Sequence, residues 1–216
     1  MINYMERGIS EVLHFTTNRG LLGTLVSKKL LSRYRLTDDK LLQHILYPNA
    51  AIRPEIAEHF DKKENWIDYV NLSISEINRR YFDVSKRWHK DKNIWWSILS
   101  FDPAIITHEN VYFATTNNSY DPCIRQSGNI GFNSLFEPII DRKMGWKALR
   151  QNRPPCLPTC EQAEVLYPQQ LSTNWLKRIY VIDDETHDIV GGWLDEFEFD
   201  GIDIVISPEK FAGIPN

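Results

Sequence analysis

Three residue types in this chain have the makings of a reaction centre. Glu164 is a lone carboxylate in a short apolar run, Ala163-Glu164-Val165-Leu166-Tyr167, directly after a proline-rich stretch. A carboxylate so placed can take a proton or steady a developing positive charge. His14 and Thr16 form a His-x-Thr pair near the start, and Arg53 is a cation in a Pro-bounded segment, suited to pairing with anions. Taken singly, each has a plainer reading. A histidine on an apolar strand is commonly a hydrogen-bonded core residue, a strand glutamate commonly faces solvent, and an isolated arginine is commonly a surface charge. A second group mixes cations with aromatics: Arg79, Arg80, Tyr81, Lys86, Arg87, Trp88 and Lys90. That mixture suits a single-stranded nucleic acid, and a solvated helix face has the same composition. Cys156 and Cys160 are spaced C-x3-C with no second Cys/His pair at zinc-ligand spacing, so no metal is expected.

The elements that must position these groups alternate irregularly. Ile9–Thr17 reads as a strand broken by Asn18-Arg19-Gly20, and Leu21–Val26 has helical spacing. An apolar helical patch follows around Leu41, Leu42, Ile45 and Leu46, with Pro48 and Pro54 bounding a loop. Trp66–Ile74, Asn93–Phe101, Asn110–Thr116, Ala163–Tyr167 and Trp175–Ile182 read as strands. Near-continuous apolarity in Asn93–Phe101 predicts burial on both faces. Residues 132–150 have helix-compatible spacing at Leu135, Phe136, Ile139, Ile140 and Met144. Three prolines in Asn152–Thr159 forbid helix and ladder alike. Gly191–Ile206 alternates weakly and predicts a hairpin at Asp200-Gly201. The regular rhythm of a doubly wound sheet and its glycine-rich phosphate loops are missing, so the class is α+β.

Length and composition bound the rest. The 216 residues, 42% hydrophobic and 25% charged, suit a single domain with an ordinary core. There is no 18-residue apolar run and no apolar leader, so the expectation is a cytoplasmic protein without membrane attachment. Three cysteines, an odd and low count, read as reduced thiols. The net charge of −4 is uneven: residues 1–156 hold 22 Lys+Arg against 17 Asp+Glu, and residues 157–216 hold 3 against 12. This suggests a body that faces polyanions and an acidic segment, 183–216, expected to belong to the same single domain; a merely solvated terminal segment has the same composition.

In order, the segments resemble the DarT family of NAD-dependent DNA ADP-ribosyltransferase toxins. The resemblance runs from Val12 to about Val181. It is carried by Leu13-His14-Phe15-Thr16, Asp68-Tyr69-Val70-Asn71-Leu72, Trp95-Trp96-Ser97-Ile98-Leu99 with Asp102-Pro103, Val111-Tyr112-Phe113, and Gln162-Ala163-Glu164-Val165-Leu166. Two departures stand out. Many members have Asn-Leu after the His-x-Thr strand, where this chain has Gly20-Leu21. Many have a Pro- and Phe-rich strand after Asp-Tyr-Val, where it has Asn71-Leu72-Ser73-Ile74-Ser75. They place it on a divergent branch, for which guanine as well as thymine stands open as the base.

The resemblance implies an ADP-ribosyltransferase-like split β-sandwich with flanking helices, gripping NAD as substrate, without a metal. It implies that His14, Phe15 and Thr16 hold the nicotinamide end, that Glu164 is catalytic, and that Arg53 binds NAD or orients the acceptor. The product would be a base of single-stranded DNA carrying ADP-ribose, with nicotinamide released. The setting would be a toxin–antitoxin or phage-defence pair, with an antitoxin that hydrolyses the mark or inhibits the enzyme. The Asn152–Thr159 loop, with Arg150 and Arg153 at its start, would sit beside the glutamate and read the substrate. Transfer to RNA or protein, and a non-catalytic nucleic-acid-binding module of the same fold, are the alternatives.

Overall fold

The structure, a computed structural model, describes residues 2–36, 66–89 and 93–216. Its centre is an eight-stranded sheet built from β1 (Val12–Thr17), β3 (Tyr69–Ile74), β4 (Trp96–Phe101), β5 (Tyr112–Ala114), β6 (Arg125–Ser127), β9 (Glu164–Pro168), β11 (Leu176–Val181) and β12 (Asp203–Ile206). The spatial order is β12-β11-β4-β1-β3-β9-β5-β6, antiparallel except for the β11–β12 pair. Two-stranded ladders are formed by β2 (Lys29–Leu31) with β10 (Gln170–Ser172), and by β7 (Ile139–Asp141) with β8 (Lys147–Leu149). Helices α1 (Asn18–Ser27), α2 (Arg33–Leu36), α3 (Arg79–Trp88), α4 (Gly128–Ser134) and α5 (Asp184–Glu196) flank the sheet. The α+β class read from the sequence holds.

One irregularity organises everything else. β1 pairs with β4 along its whole length, from Val12↔Phe101 to Thr17↔Trp96, but with β3 only at Val12↔Ile74 and Leu13↔Ser73. Beyond that point β3 pairs with β9 instead, from Leu72↔Val165 to Tyr69↔Pro168. The sheet is therefore zipped at one end of β1 and split at the other, where His14 and Thr16 lie.

The closed end is pinned by a buried charge. Glu11, 8% exposed, accepts hydrogen bonds from Lys210 Nζ (2.7 Å), Ser100 Oγ (2.7 Å) and Tyr180 Oη (2.8 Å). Burial works to raise the carboxyl pKa, but these donors and the lysine charge outweigh it and hold it below the usual range. Lys210 also reaches Glu76 and the Ser75 carbonyl, both at 3.1 Å.

The core lies on both faces. Leu99 and Phe101 of β4 enter the main cluster with Leu21, Leu25, Phe113 and Phe132, while Ile98 joins Leu13, Phe82, Tyr180 and Phe211 on the other side. The double burial expected of this strand is what the structure shows. α3 covers the second face: Asn78 caps it by accepting the Tyr81 N–H at 3.0 Å, and Phe82 turns inward.

Two expectations fail. Residues 132–150 are not one helix: α4 ends at Ser134, Pro138 follows, and a hairpin turns through Met144 and Gly145 at positive φ. Leu135, Phe136 and Ile140 are buried as the spacing required, but from a turn and a strand. The predicted tail hairpin is a helix followed by a strand. Asp183 caps α5 through the Thr186 N–H (2.9 Å), Val190 and Leu194 pack inward, and β12 runs parallel to β11.

Candidate active site at the split

His14 bridges the split. Its Nδ1 lies 2.9 Å from the backbone oxygen of Asn71 on β3. A carbonyl only accepts, so Nδ1 carries the proton. Burial lowers the ring's pKa against the pull of that carbonyl. The imidazole is thus neutral, with Nε2 as an acceptor. Phe15, on the neighbouring position, packs against Phe82 (5.2 Å between centroids), Tyr81 (5.8 Å) and Trp96 (5.9 Å). Thr16 lies against α1, where a Cβ on Gly20 would collide with its Oγ1.

Glu164 opens β9 and is 6% exposed. The pairs Ala114↔Glu164, Tyr112↔Leu166, Asn71↔Leu166 and Tyr69↔Pro168 put Tyr69, Asn71, Glu164 and Tyr112 on one face of the sheet. One carboxylate oxygen, Oε2, accepts the Asn118 N–H at 2.9 Å and Asn71 Nδ2 at 3.1 Å. Oε1 receives no hydrogen bond from the described residues. Burial pushes the carboxyl up to about 7, against the hydrogen bonds of Asn118 and Asn71 and the charge of Arg125. Such a group holds a proton or releases it near neutrality, as an acid–base catalyst requires.

Arg125 is the cation of this site. On β6, it donates Nε to Asn118 Oδ1 (2.6 Å), Nη2 to the Asn118 carbonyl and Nη1 to the Cys123 carbonyl (3.3 Å). Its guanidinium lies 5.4 Å from the Trp66 ring. Trp66, Tyr69 and Tyr112 stand 5.2–6.0 Å apart and form an aromatic wall beside it.

The structure brings His14 and Glu164 together through Asn71, and places Phe15 and Thr16 along the same strand. Arg53, Leu41, Leu42, Ile45, Leu46, Pro48, Pro54 and Lys90 lie outside the described residues. Asn71, Asn118 and Arg125 were not assigned roles from the sequence. Asn71 belongs to the Asp68–Leu72 motif that carries the resemblance, which was the one signal available.

The basic run behaves unevenly. Arg79 bonds Asp83 and the Phe211 carbonyl (both 2.8 Å), and Arg80 pairs with the buried Glu161. Lys86 and Arg87 are exposed at the end of α3, with Lys86 3.5 Å from the Asp83 carboxylate and Arg87 Nε donating to the Asp83 carbonyl at 3.3 Å. Arg150 and Arg153, at the start of the proline-rich loop, are both engaged by backbone carbonyls. Arg150 donates to the carbonyls of Leu157 (3.1 Å) and Pro154 (3.2 Å), and Arg153 to those of Pro158 (2.6 Å) and Ile214 (2.9 Å). A loop without a ladder needs donors for its carbonyls, and these two arginines supply them. Among the described residues no group of three His, Cys, Asp or Glu side chains could hold a metal ion, and the three cysteines are free thiols. No helix among them is long and apolar enough to cross a membrane.

The split sheet carries the His-x-Thr strand at its lip and a buried carboxyl across the gap, the kind of site that the resemblance to ADP-ribosyltransferases leads one to expect. The family described as "ssDNA thymidine ADP-ribosyltransferase, DarT" matches residues 13–212. The chain belongs to that family of single-stranded-DNA ADP-ribosyltransferases. Solved structures agree in fold. Thermus sp. 2.9 DarT in complex with ADP-ribosylated ssDNA is 13% identical, with a TM-score of 0.64 over 94% of this chain and 96% of that one. The same protein in complex with NAD+ gives 13% and 0.62 over 93% and 96%. Thermosipho africanus DarTG in complex with ADP-ribose gives 15% and 0.59 over 94% of this chain and 51% of that one, so the chain spans about half the length of DarTG. No curated protein sequence matches the chain.

Proposed function

We propose that Glu164 carries the transfer, with His14, Phe15 and Thr16 holding the nicotinamide end of NAD and Arg53 pairing with its pyrophosphate or orienting the base. The observation that supports this is the carboxylate itself: buried at the split, one oxygen held by two donors, the other without a hydrogen bond from the described residues. Cleavage of the bond between nicotinamide and ribose leaves an oxocarbenium-like sugar, and the bonding pair passes to the pyridinium ring. A nearby carboxylate stabilises that charge. As the ring nitrogen of the base bonds to C1′, its proton passes to Glu164 and then to water. No acid is needed for the leaving group, so one carboxylate suffices.

The acceptor we favour is thymine, after the name of the matching family; the two departures from the family pattern keep guanine as the competing product. We read residues 1–216 as one domain, because β12 and Lys210 tie the acidic segment into the sheet. The biological setting we infer is that of a toxin in a toxin–antitoxin or phage-defence pair, opposed by a partner that removes the mark or blocks the enzyme.

The test is incubation of the protein with adenylate-labelled NAD and single-stranded DNA, RNA or protein, followed by mass spectrometry of nucleosides. Label on a DNA base, reduced at least a hundredfold by Glu164→Gln, is the expected result. Label confined to RNA or protein overturns the reading.

A further inference from the structure

We propose that Asn71 reads the acceptor base: its carboxamide and the Glu164 carboxylate form a donor–acceptor pair that takes an imide edge, an N–H beside a C=O. The inference rests on the reading of Glu164 given above and names the substrate chemistry of the same site.

The argument is one of unspent valences. Ionised carboxylates only accept and amide nitrogens only donate, so the atom of Asn71 that faces Glu164 at 3.1 Å is Nδ2. Among the described residues that nitrogen, with two hydrogens, makes one bond, and Glu164 Oε1 receives none. Asn71 is exposed while Glu164 is buried, so the pair meets solvent through its asparagine. With Glu164 ionised, its Oε1 and the second Nδ2 hydrogen are one acceptor and one donor, and Asn71 Oδ1, which receives no hydrogen bond from the described residues, turns away from that pair to solvent. Thymine presents a ring N–H flanked by carbonyls, and guanine a ring N–H beside its C6 carbonyl. Adenine and cytosine present a bare ring nitrogen beside an amino group. Against those the carboxylate would face a lone pair and the amide would face another donor, leaving both unpaired. An extruded or single-stranded base exposes this edge. The same hydrogen bond that identifies the base aligns the proton that Glu164 removes.

The experiment uses oligonucleotides with a single thymine, 4-thiothymine or 2-thiothymine in a background of adenine and cytosine, with the intact chain and Asn71→Ala. Sulfur accepts weakly, so one of the two thio bases should react about tenfold more slowly than thymine with the unaltered protein, corresponding to about 1.4 kcal/mol. Asn71→Ala should be slower on thymine and should lose that discrimination; the non-additivity isolates the contact. Asn71 is exposed and its carbonyl to His14 is kept in the variant, so folding should survive, as a melting curve would verify. The proposal is overturned if the variant keeps the same thio penalty, if neither thio base is penalised, or if adenine or cytosine is modified as fast as thymine. Full transfer by Glu164→Gln would instead remove the underlying reading, and the thio ratios would still report on Asn71.

Discussion

Asn71 and Glu164 are not register partners across β3 and β9, yet the asparagine Nδ2 reaches the glutamate Oε2 at 3.1 Å while its own carbonyl takes the His14 ring at 2.9 Å. One residue thus joins both lips of the split to the carboxylate. This coupling ties the shape of the cleft to the chemistry, and it yields measurable consequences.

The rate should follow the ionisation of Glu164. With the carboxyl at about 7, kcat/KM for NAD should rise as pH increases through neutrality and level off above about pH 8. Arg125 opposes that upward shift, so Arg125→Gln should move the acidic limb to higher pH. A pH–rate profile that is flat from pH 5 to 8 would contradict the assignment of Glu164 as the base.

The same carboxyl should cost stability. Its folded pKa lies above the unfolded value of 4.5, so the folded state binds more protons between those values and stability falls as pH rises from about 4.5 to 7. Glu164→Gln should therefore be more stable to unfolding than the unaltered protein at pH 8, by on the order of 2–3 kcal/mol. The gain should shrink toward pH 5. Calorimetry at the two pH values checks the sign.

At the closed end the sign is reversed. Glu11 is held below its usual pKa, so its contribution is present above the unfolded value and lost as pH falls through the folded one. Lys210→Met leaves that carboxylate buried without its main partner and should cost about 3 kcal/mol in urea unfolding at pH 7. A double variant with Glu11→Gln should recover part of the loss.

Gly20→Ala tests the His-x-Thr strand from outside it. The added methyl collides with Thr16 Oγ1, so the hydroxyl must turn away or α1 must shift. We expect KM for NAD to rise about tenfold, the size of one lost hydrogen bond. Isothermal titration with NAD would show the same change in Kd.

DNA affinity should separate the two sets of cations. Lys86→Ala with Arg87→Ala should flatten the salt dependence of single-strand binding by about 0.7 per charge. Arg150→Ala or Arg153→Ala should lower the melting temperature and leave that slope in place, because their guanidinium groups are occupied by loop carbonyls.

His14 and Glu164 were legible as a pair only through the order of motifs, since nothing in either residue alone shows that strands distant in sequence lie side by side. The Asn118 contact was not legible, because its contribution to Glu164 is a backbone N–H that every residue but proline owns. Arg125 left no mark either: it acts by bonding a neighbour's amide and carbonyl. The 132–150 stretch misled because Leu135, Phe136 and Ile140, at helical intervals, are buried by a turn and a hairpin while Ile139 and Met144 face solvent, and Pro138 and Gly145 were the corrective signals. The tail misled because two glycines in α5 masked a well-capped helix. Gly20, by contrast, reads as a departure from the family in sequence and as a steric necessity in the fold.

The clasp between Glu11 and Lys210 joins positions 199 residues apart. A ribosome delivers the histidine lip long before the lysine, so a growing chain has parts of the cleft before it has the means to hold its closed end. Competence should therefore arrive abruptly, once position 210 has emerged and the clasp has closed.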